Sequence, residues 1–267
     1  MTIVAHELRA SYAFIERNFY LSRRYWGWEI AFLAYSVAGA LSISLIGADQ
    51  RNETLLLSLM VGAIFWNYLS VVFSWIADMV SIERWEGTLE YTMMAPIRRW
   101  SMLLGSVAYA MIYGLVHTTV IFIALILFFP QLDLSAANPA TVATFMLIGS
   151  FSFVGVAMMV AILPLLYVER GSQMSMVVQS VLLLVSGVYY SIDVLPPWMQ
   201  VLAHLSPATY VLAGVRAGLI EGKPVTELTN LLWPLVVMGI VLIPFGLWAF
   251  GRAERYAKRT GKLKRVG

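Results

Sequence analysis

Glu83, Glu86 and Glu90 recur at i, i+3 and i+7 in SIERWEGTLEYTMMAPIRRW, the stretch from Ser81 to Trp100. On a helix they form an acidic stripe, and Trp85, Leu89 and Met93 at i, i+4 and i+8 form an apolar stripe beside it. The chemistry this offers is recognition rather than catalysis. An amphipathic helix resting on lipid headgroups would carry Lys and Arg on its polar face. This polar face is acidic, which points to a protein partner. Elsewhere the chain excludes chemistry. It has no Cys, so disulfides, thiolate metal sites and cysteine nucleophiles are absent. No HExxH, GxSxG or paired-carboxylate constellation suggests an enzyme. No GxxxxGK[ST] phosphate loop occurs; the nearest fragment, Gly222-Lys223-Pro224, lacks both the upstream glycine spacing and the hydroxyl. If ATP drives this protein, the ATPase is another chain that grips it from the cytosol.

The elements that must position this stretch are hydrophobic. Apolar residues make up 60% of the 267 and charged residues 12%, against roughly 45–50% and 25% in a soluble domain. The mean hydropathy is +0.77. A bilayer needs about 20 apolar residues per helix, and six segments qualify, at about 28–47, 55–77, 101–129, 141–167, 174–191 and 231–250. The expected fold is therefore an all-α integral membrane protein. Three parts follow: residues 1–27, a six-span domain over 28–251, and a basic tail over 252–267. In the first part Leu8, Tyr12, Ile15 and Phe19 share one helix face, with no continuous apolar core of a signal peptide. This reads as a helix in the membrane interface, or as one packed on the protein's own cytosolic side.

Positive charge sets the orientation. With both termini in the cytosol, four Lys or Arg precede the first span, three lie in 78–100, one is Arg170 and seven fall in the tail. Only Arg51, Arg216 and Lys223 then lie outside. The tail reads as a topology anchor and not a nucleic-acid arm. Ser81 to Trp100 falls in the cytosol between spans two and three, and its helix, from Glu83 to about Met94, must end before Pro96. Gly87 marks a bend in it or the approach of another backbone, since a mid-helix glycine costs roughly 1 kcal/mol relative to alanine.

Within the spans ionisable residues are few. Glu29 and Asp78 lie near ends and His117 is the one deep candidate. His117 is either functional or satisfied by Thr118, Thr119 or a neighbouring helix. No mid-membrane carboxylate of an ion-coupled carrier is expected. Residues 198–220 are broken by proline and polar positions, so they either enter the membrane shielded by protein or form a surface loop with an amphipathic helix.

ERWEGTLEYTMMAPIRR resembles the E-x-G-T-L-E-x-x-x-x-x-P signature of permease subunits of type-2 ABC exporters. Gly87, Thr88, Leu89, Glu90 and Pro96 match that pattern, with Glu83 and Glu86 standing near its first Glu, whose position Trp85 takes. SGVYYSIDVLPPWMQVLAHLSPATYVLAGVRAGL is similar to the family's region after span five, through Gly187, Tyr190, Leu195, Pro196 and Trp198, then Ser206, Pro207, Thr209, Tyr210 and Arg216. Ser206 stands where the family usually has Asn.

The resemblance implies a coupling helix that inserts into a cognate ABC ATPase, with Arg84, Trp85 and Met93 joining the matched residues in that interface. It implies a second, minor contact at Glu169 and Arg170, in YVERGSQMS. It implies a pair of re-entrant helices between spans five and six that form an extracellular gate. It also implies two ATPase copies with ATP and Mg on them, no cofactor on this chain, and a second permease copy or paralogue facing this one. Tyr109, Tyr113, His117, Phe151, Phe153 and Tyr189 either line a pathway or pack helices. The expected cargo is an amphiphilic drug-like or lipid-linked molecule, by likeness to the daunorubicin-resistance branch; a polysaccharide or glycolipid is the alternative. A membrane enzyme or assembly factor and an ion-coupled carrier are the readings from other classes. The expected location is the cytoplasmic membrane of a prokaryotic cell.

Overall fold

The computed structural model describes residues 3–50, 52–132 and 134–261, the side chains of residues 3, 4 and 99 excepted. Arg51 and the tail beyond residue 261, which entered the charge pattern, lie outside the described residues. Among the described residues twelve α-helices follow one another: α1 (Ile3–Arg24), α2 (Trp26–Asp49), α3 (Glu53–Ala77), α4 (Met79–Trp85), α5 (Leu89–Met94), α6 (Arg99–Phe128), α7 (Pro139–Val160), α8 (Ile162–Leu166), α9 (Gly171–Val185), α10 (Pro197–Leu205), α11 (Pro207–Leu219) and α12 (Thr229–Arg259). No strand occurs among the described residues.

Local chemistry sets the starts. Asn52 accepts from the Leu55 amide and so caps α3, and Asn138 accepts from the Thr141 amide ahead of Pro139 at the first turn of α7. α3 is the hub: Leu69, Val72, Phe73 and Ile76 are at most 1% exposed. It packs against α2, α6, α7, α9 and α11. Phe73 meets Phe153 of α7 with ring centroids 5.7 Å apart. α7 packs most extensively on α12. A Cβ on Gly155 would collide with the α12 backbone at Leu242 and Ile243, and Ser152 Oγ donates to the Leu235 carbonyl at 2.6 Å. Small residues with interhelical hydrogen bonds are how helices associate where lipid removes the hydrophobic drive.

Among the described residues five helices are long and apolar enough to cross a membrane: Trp26–Asp49, Glu53–Ala77, Trp100–Phe128, Pro139–Leu166 and Thr229–Arg259. The fifth expected span, 174–191, is different. α9 ends at Val185, and the chain turns at Gly187 with φ 66°. Its 15 residues reach about 22 Å at 1.5 Å each, short of a ~30 Å hydrocarbon core. The tail also departs from a separate unit: α12 continues without a break to Arg259. The fourth span is interrupted at Ala161, where α8 begins.

α1 lies along α6. Its apolar positions Leu8, Tyr12 and Phe19 are exposed, while Glu7, Ser11 and Asn18 are buried. The polar side faces the protein and the apolar side faces out, the sense expected of a helix whose other neighbour is lipid.

Candidate functional site

α4 and α5 sit where α3 ends, and they are two helices where one was expected. Gly87 has φ 72°, in the left-handed region, which costs a residue with a Cβ about 1–2 kcal/mol. The Gly87 amide donates to Arg84 O at 3.1 Å and the Thr88 amide to Glu83 O at 2.9 Å, closing α4. The break resets the helical register, and both stripes dissolve.

Glu83 has no exposed surface. The Arg17 guanidinium of α1 donates to its Oε1. Thr88 Oγ1 donates to Oε2 at 2.5 Å and Thr92 Oγ1 at 3.0 Å. Expected as a surface contact, Glu83 is instead an internal strut. Leu89 and Met93, expected on the same interface, are 3% and 4% exposed and belong to the core. Burial of their apolar surface is what seats α5 on the bundle. Glu86 accepts from Arg24 Nη1 at 3.3 Å and from the Tyr25 hydroxyl at 3.0 Å.

The pair is bonded to other elements as well. Arg84 Nη2 donates to the Leu165 carbonyl of α8 at 2.8 Å, and Ser81 Oγ lies 2.8 Å from Ser172 Oγ of α9. Lys258 Nζ of α12 reaches the Met93 carbonyl at 3.5 Å. Glu169 and Arg170 are exposed on the turn between α8 and α9, so these bonds hold that turn beside α4. α1 is fixed in turn by Glu7, whose carboxylate accepts from Ser101 Oγ. That hydrogen bond holds the Glu7 carboxyl below its ordinary value of 4.5.

What α4 and α5 present outward is Trp85, 70% exposed, Tyr91, 75%, and Met94, 72%, with Glu90 and Pro96 also exposed. Tyr91 and Met94 were not anticipated. Their i, i+3 spacing puts them on one face of α5, opposite the buried Leu89 and Met93. Gly87 and Thr88, half-buried, form the elbow.

At the opposite end of α3, Arg216 of α11 donates from Nη1 to Gly187 O at 3.0 Å and from Nη2 to Val188 O. It also reaches Ser58 O of α3 at 3.5 Å. A planar fork suits this multiple donation as a point charge would not. α10 and α11 form the expected pair of short helices. Thr209 and Tyr210 donate to the Ala203 and His204 carbonyls across their junction, at 2.8 and 3.0 Å. Leu195 and Pro207 are buried, Tyr190 is half-buried, and Trp198 and Pro196 are exposed. Ser206 Oγ lies 2.8 Å from Ser186 Oγ.

The six candidate pathway residues do not share one cavity. Phe153 is fully buried against Phe73, and Tyr109 is buried with its hydroxyl 2.5 Å from Ser22 Oγ. Phe151 faces a shallow groove between α7 and α12, and Tyr189 packs on the core. Only Tyr113 and His117 line the groove between α2, α3, α6 and α9, a space of about 620 Å³. That groove also holds Glu29 and Asp78. The Tyr113 hydroxyl donates to Glu29 Oε2, and His117 Nε2 lies 3.9 Å from the same oxygen. Thr118 and Thr119 do not serve His117: Thr119 Oγ1 donates to the Leu115 carbonyl, and Thr118 Oγ1 is buried without a partner. Two carboxylates that looked peripheral in sequence thus line one groove with the deep histidine. No group of three or more His, Asp or Glu among the described residues could hold a metal ion.

A family model described as ABC-2 type transporter matches residues 10–220. The chain is similar to the inner membrane transport permease YadH of Escherichia coli (strain K12), 23% identical over 227 residues, or 84% of this chain and 86% of that protein. The YadH permease of Shigella flexneri matches to the same extent.

Proposed function

From the premise that this chain belongs to the ABC-2 type transporter family and is a transport permease subunit, we propose that a separate ABC ATPase drives it through the α4–α5 pair. One observation carries the reading. Trp85, Tyr91 and Met94 stand exposed beside Glu90 on an element bonded to α1, α8, α9 and α12. Exposed aromatics clustered on a short element between two long helices mark a protein interface. The buried Arg17–Glu83 contact makes the element a stiff lever instead of a loose loop. ATP and Mg belong to the partner, and ATP binding would draw two ATPase copies together under two facing permeases. The lever passes that displacement to α1 and the α8–α9 turn, and α10–α11 form the gate at the far end. A ligand moves such an equilibrium only by binding its two states differently, so the grip holds throughout the cycle. We place both termini in the cytosol of a prokaryotic cell, with an amphiphilic drug-like or lipid-linked cargo moving outward. The membrane-protein character of the curated YadH relatives supports the location.

The test co-purifies this chain with a candidate cognate ABC ATPase. Tyr91→Ala and Glu90→Lys should lower ATPase capture at least tenfold while the permease stays monodisperse. Unchanged capture and unchanged ATPase stimulation in both variants would overturn the lever.

A further inference from the structure

The groove between α2, α3, α6 and α9 holds groups that the helix packing leaves unused. Its volume, about 620 Å³, suits a small ligand. Phe32, Tyr35, Trp75 and Tyr113 give it aromatic walls, and neither Lys nor Arg lines it. Its polar groups are acceptors short of donors. Asp78 Oδ1 and Ser70 Oγ are buried without a hydrogen-bond partner. Glu29 is oriented through Oε2 by Tyr113 and faced there by His117, while Oε1 makes no hydrogen bond among the described residues. Buried polar atoms without partners are rare, and each calls for an explanation. A cationic donor accounts for the two buried oxygens and also reaches the partly exposed Glu29 Oε1. A protonated amine supplies several N–H groups and positive charge to the carboxylates, and the faces of Trp75 and Tyr113 attract the same charge. An anionic head would meet two carboxylates in a largely apolar wall.

We propose that this groove binds an amphiphile with a protonated amine head, the head between Glu29 and Asp78 and the apolar part along Phe32, Val71 and Met176. The inference rests on the permease reading for its consequence, narrowing the cargo to amine-bearing amphiphiles, but the binding itself needs no ATPase.

The experiment places the full chain in phosphatidylcholine nanodiscs and titrates octylammonium, octanol and octanoate, reading the difference in tryptophan fluorescence between the wild type and Trp75→Phe. Octylammonium should saturate, and octanol and octanoate should not bind at tenfold higher concentration. Glu29→Gln and Asp78→Asn should each weaken octylammonium at least tenfold. If Glu29→Gln is not monodisperse, Asp78→Asn and Ser70→Ala carry the test. Equal binding of octanoate, an unsaturable signal matching empty nanodiscs, or full affinity in Asp78→Asn overturns the proposal. Adding phosphatidylethanolamine separates two sources of the amine: displacement assigns a lipid head, and no displacement assigns a soluble amphiphile. Tyr91→Ala in the same nanodiscs should bind octylammonium normally. Retained ATPase capture in Tyr91→Ala would sink the lever alone, and full octylammonium affinity in Asp78→Asn would sink the amine site alone, so the two failures are distinguishable.

Discussion

Removing the Arg17 guanidinium would leave the Glu83 carboxylate with no exposed surface and no countercharge. Breaking a buried pair from one side costs about 3–5 kcal/mol, and the 31% exposure of Arg17 places the loss near the lower end. Arg17→Ala should therefore lower the Tm of the detergent-solubilised chain by several degrees. The double variant Arg17→Ala/Glu83→Ala should lower it by less than the two single changes together, the mark of residues in direct contact. Glu90→Lys, on the exposed face, should leave the Tm in place. In the sequence Glu83, Glu86 and Glu90 are three equivalent carboxylates on one predicted stripe. What distinguishes them is where each ends up: Glu83 inside, Glu86 clamped by α1 and its junction with α2, and Glu90 exposed.

At the scale of elements, the decisive feature is the elbow at Gly87. The sequence offers a bend or a close approach there, and the positive φ makes it a bend. Gly87→Ala should strain the elbow by about 1–2 kcal/mol and turn α5 away from its seat. The expected result is faster amide exchange in α5 and ATPase capture weakened about tenfold, with the exchange of α3 unchanged. Equal exchange of α5 in both proteins would mean that the elbow does not depend on its glycine. The long helices were legible because each carries an apolar stretch long enough to cross the bilayer, which leaves one solution. α9 was not, because Gly187 ends its helix while the apolar composition continues past it to Tyr190.

For the whole molecule, the short α9 makes the number of crossings a measurable question. α6 and α7 are long enough to cross, so Glu90 and Glu221 lie on opposite sides only if the α9 segment crosses as well. The chain has no Cys, which permits single-cysteine variants without further change. Glu90→Cys should react with an impermeant maleimide only from the cytosol, and Glu221→Cys only from outside. Labelling of both from one side would mean five crossings in place of the expected six.

Composition alone determined that this chain is helical and bound for a membrane, because sustained apolar runs have no other stable home. The stretch from Glu83 to Glu90 by itself marked the place of the proposed ATPase contact, since its acidic polar face favours a protein neighbour over lipid headgroups. The tertiary structure decided which of its residues face out, because the elbow at Gly87 breaks the period that the sequence appears to follow. It also decided that Glu29, Asp78 and His117 share one groove. Residues so far apart in the chain meet only through the packing of α2, α3 and α6, which no local pattern encodes.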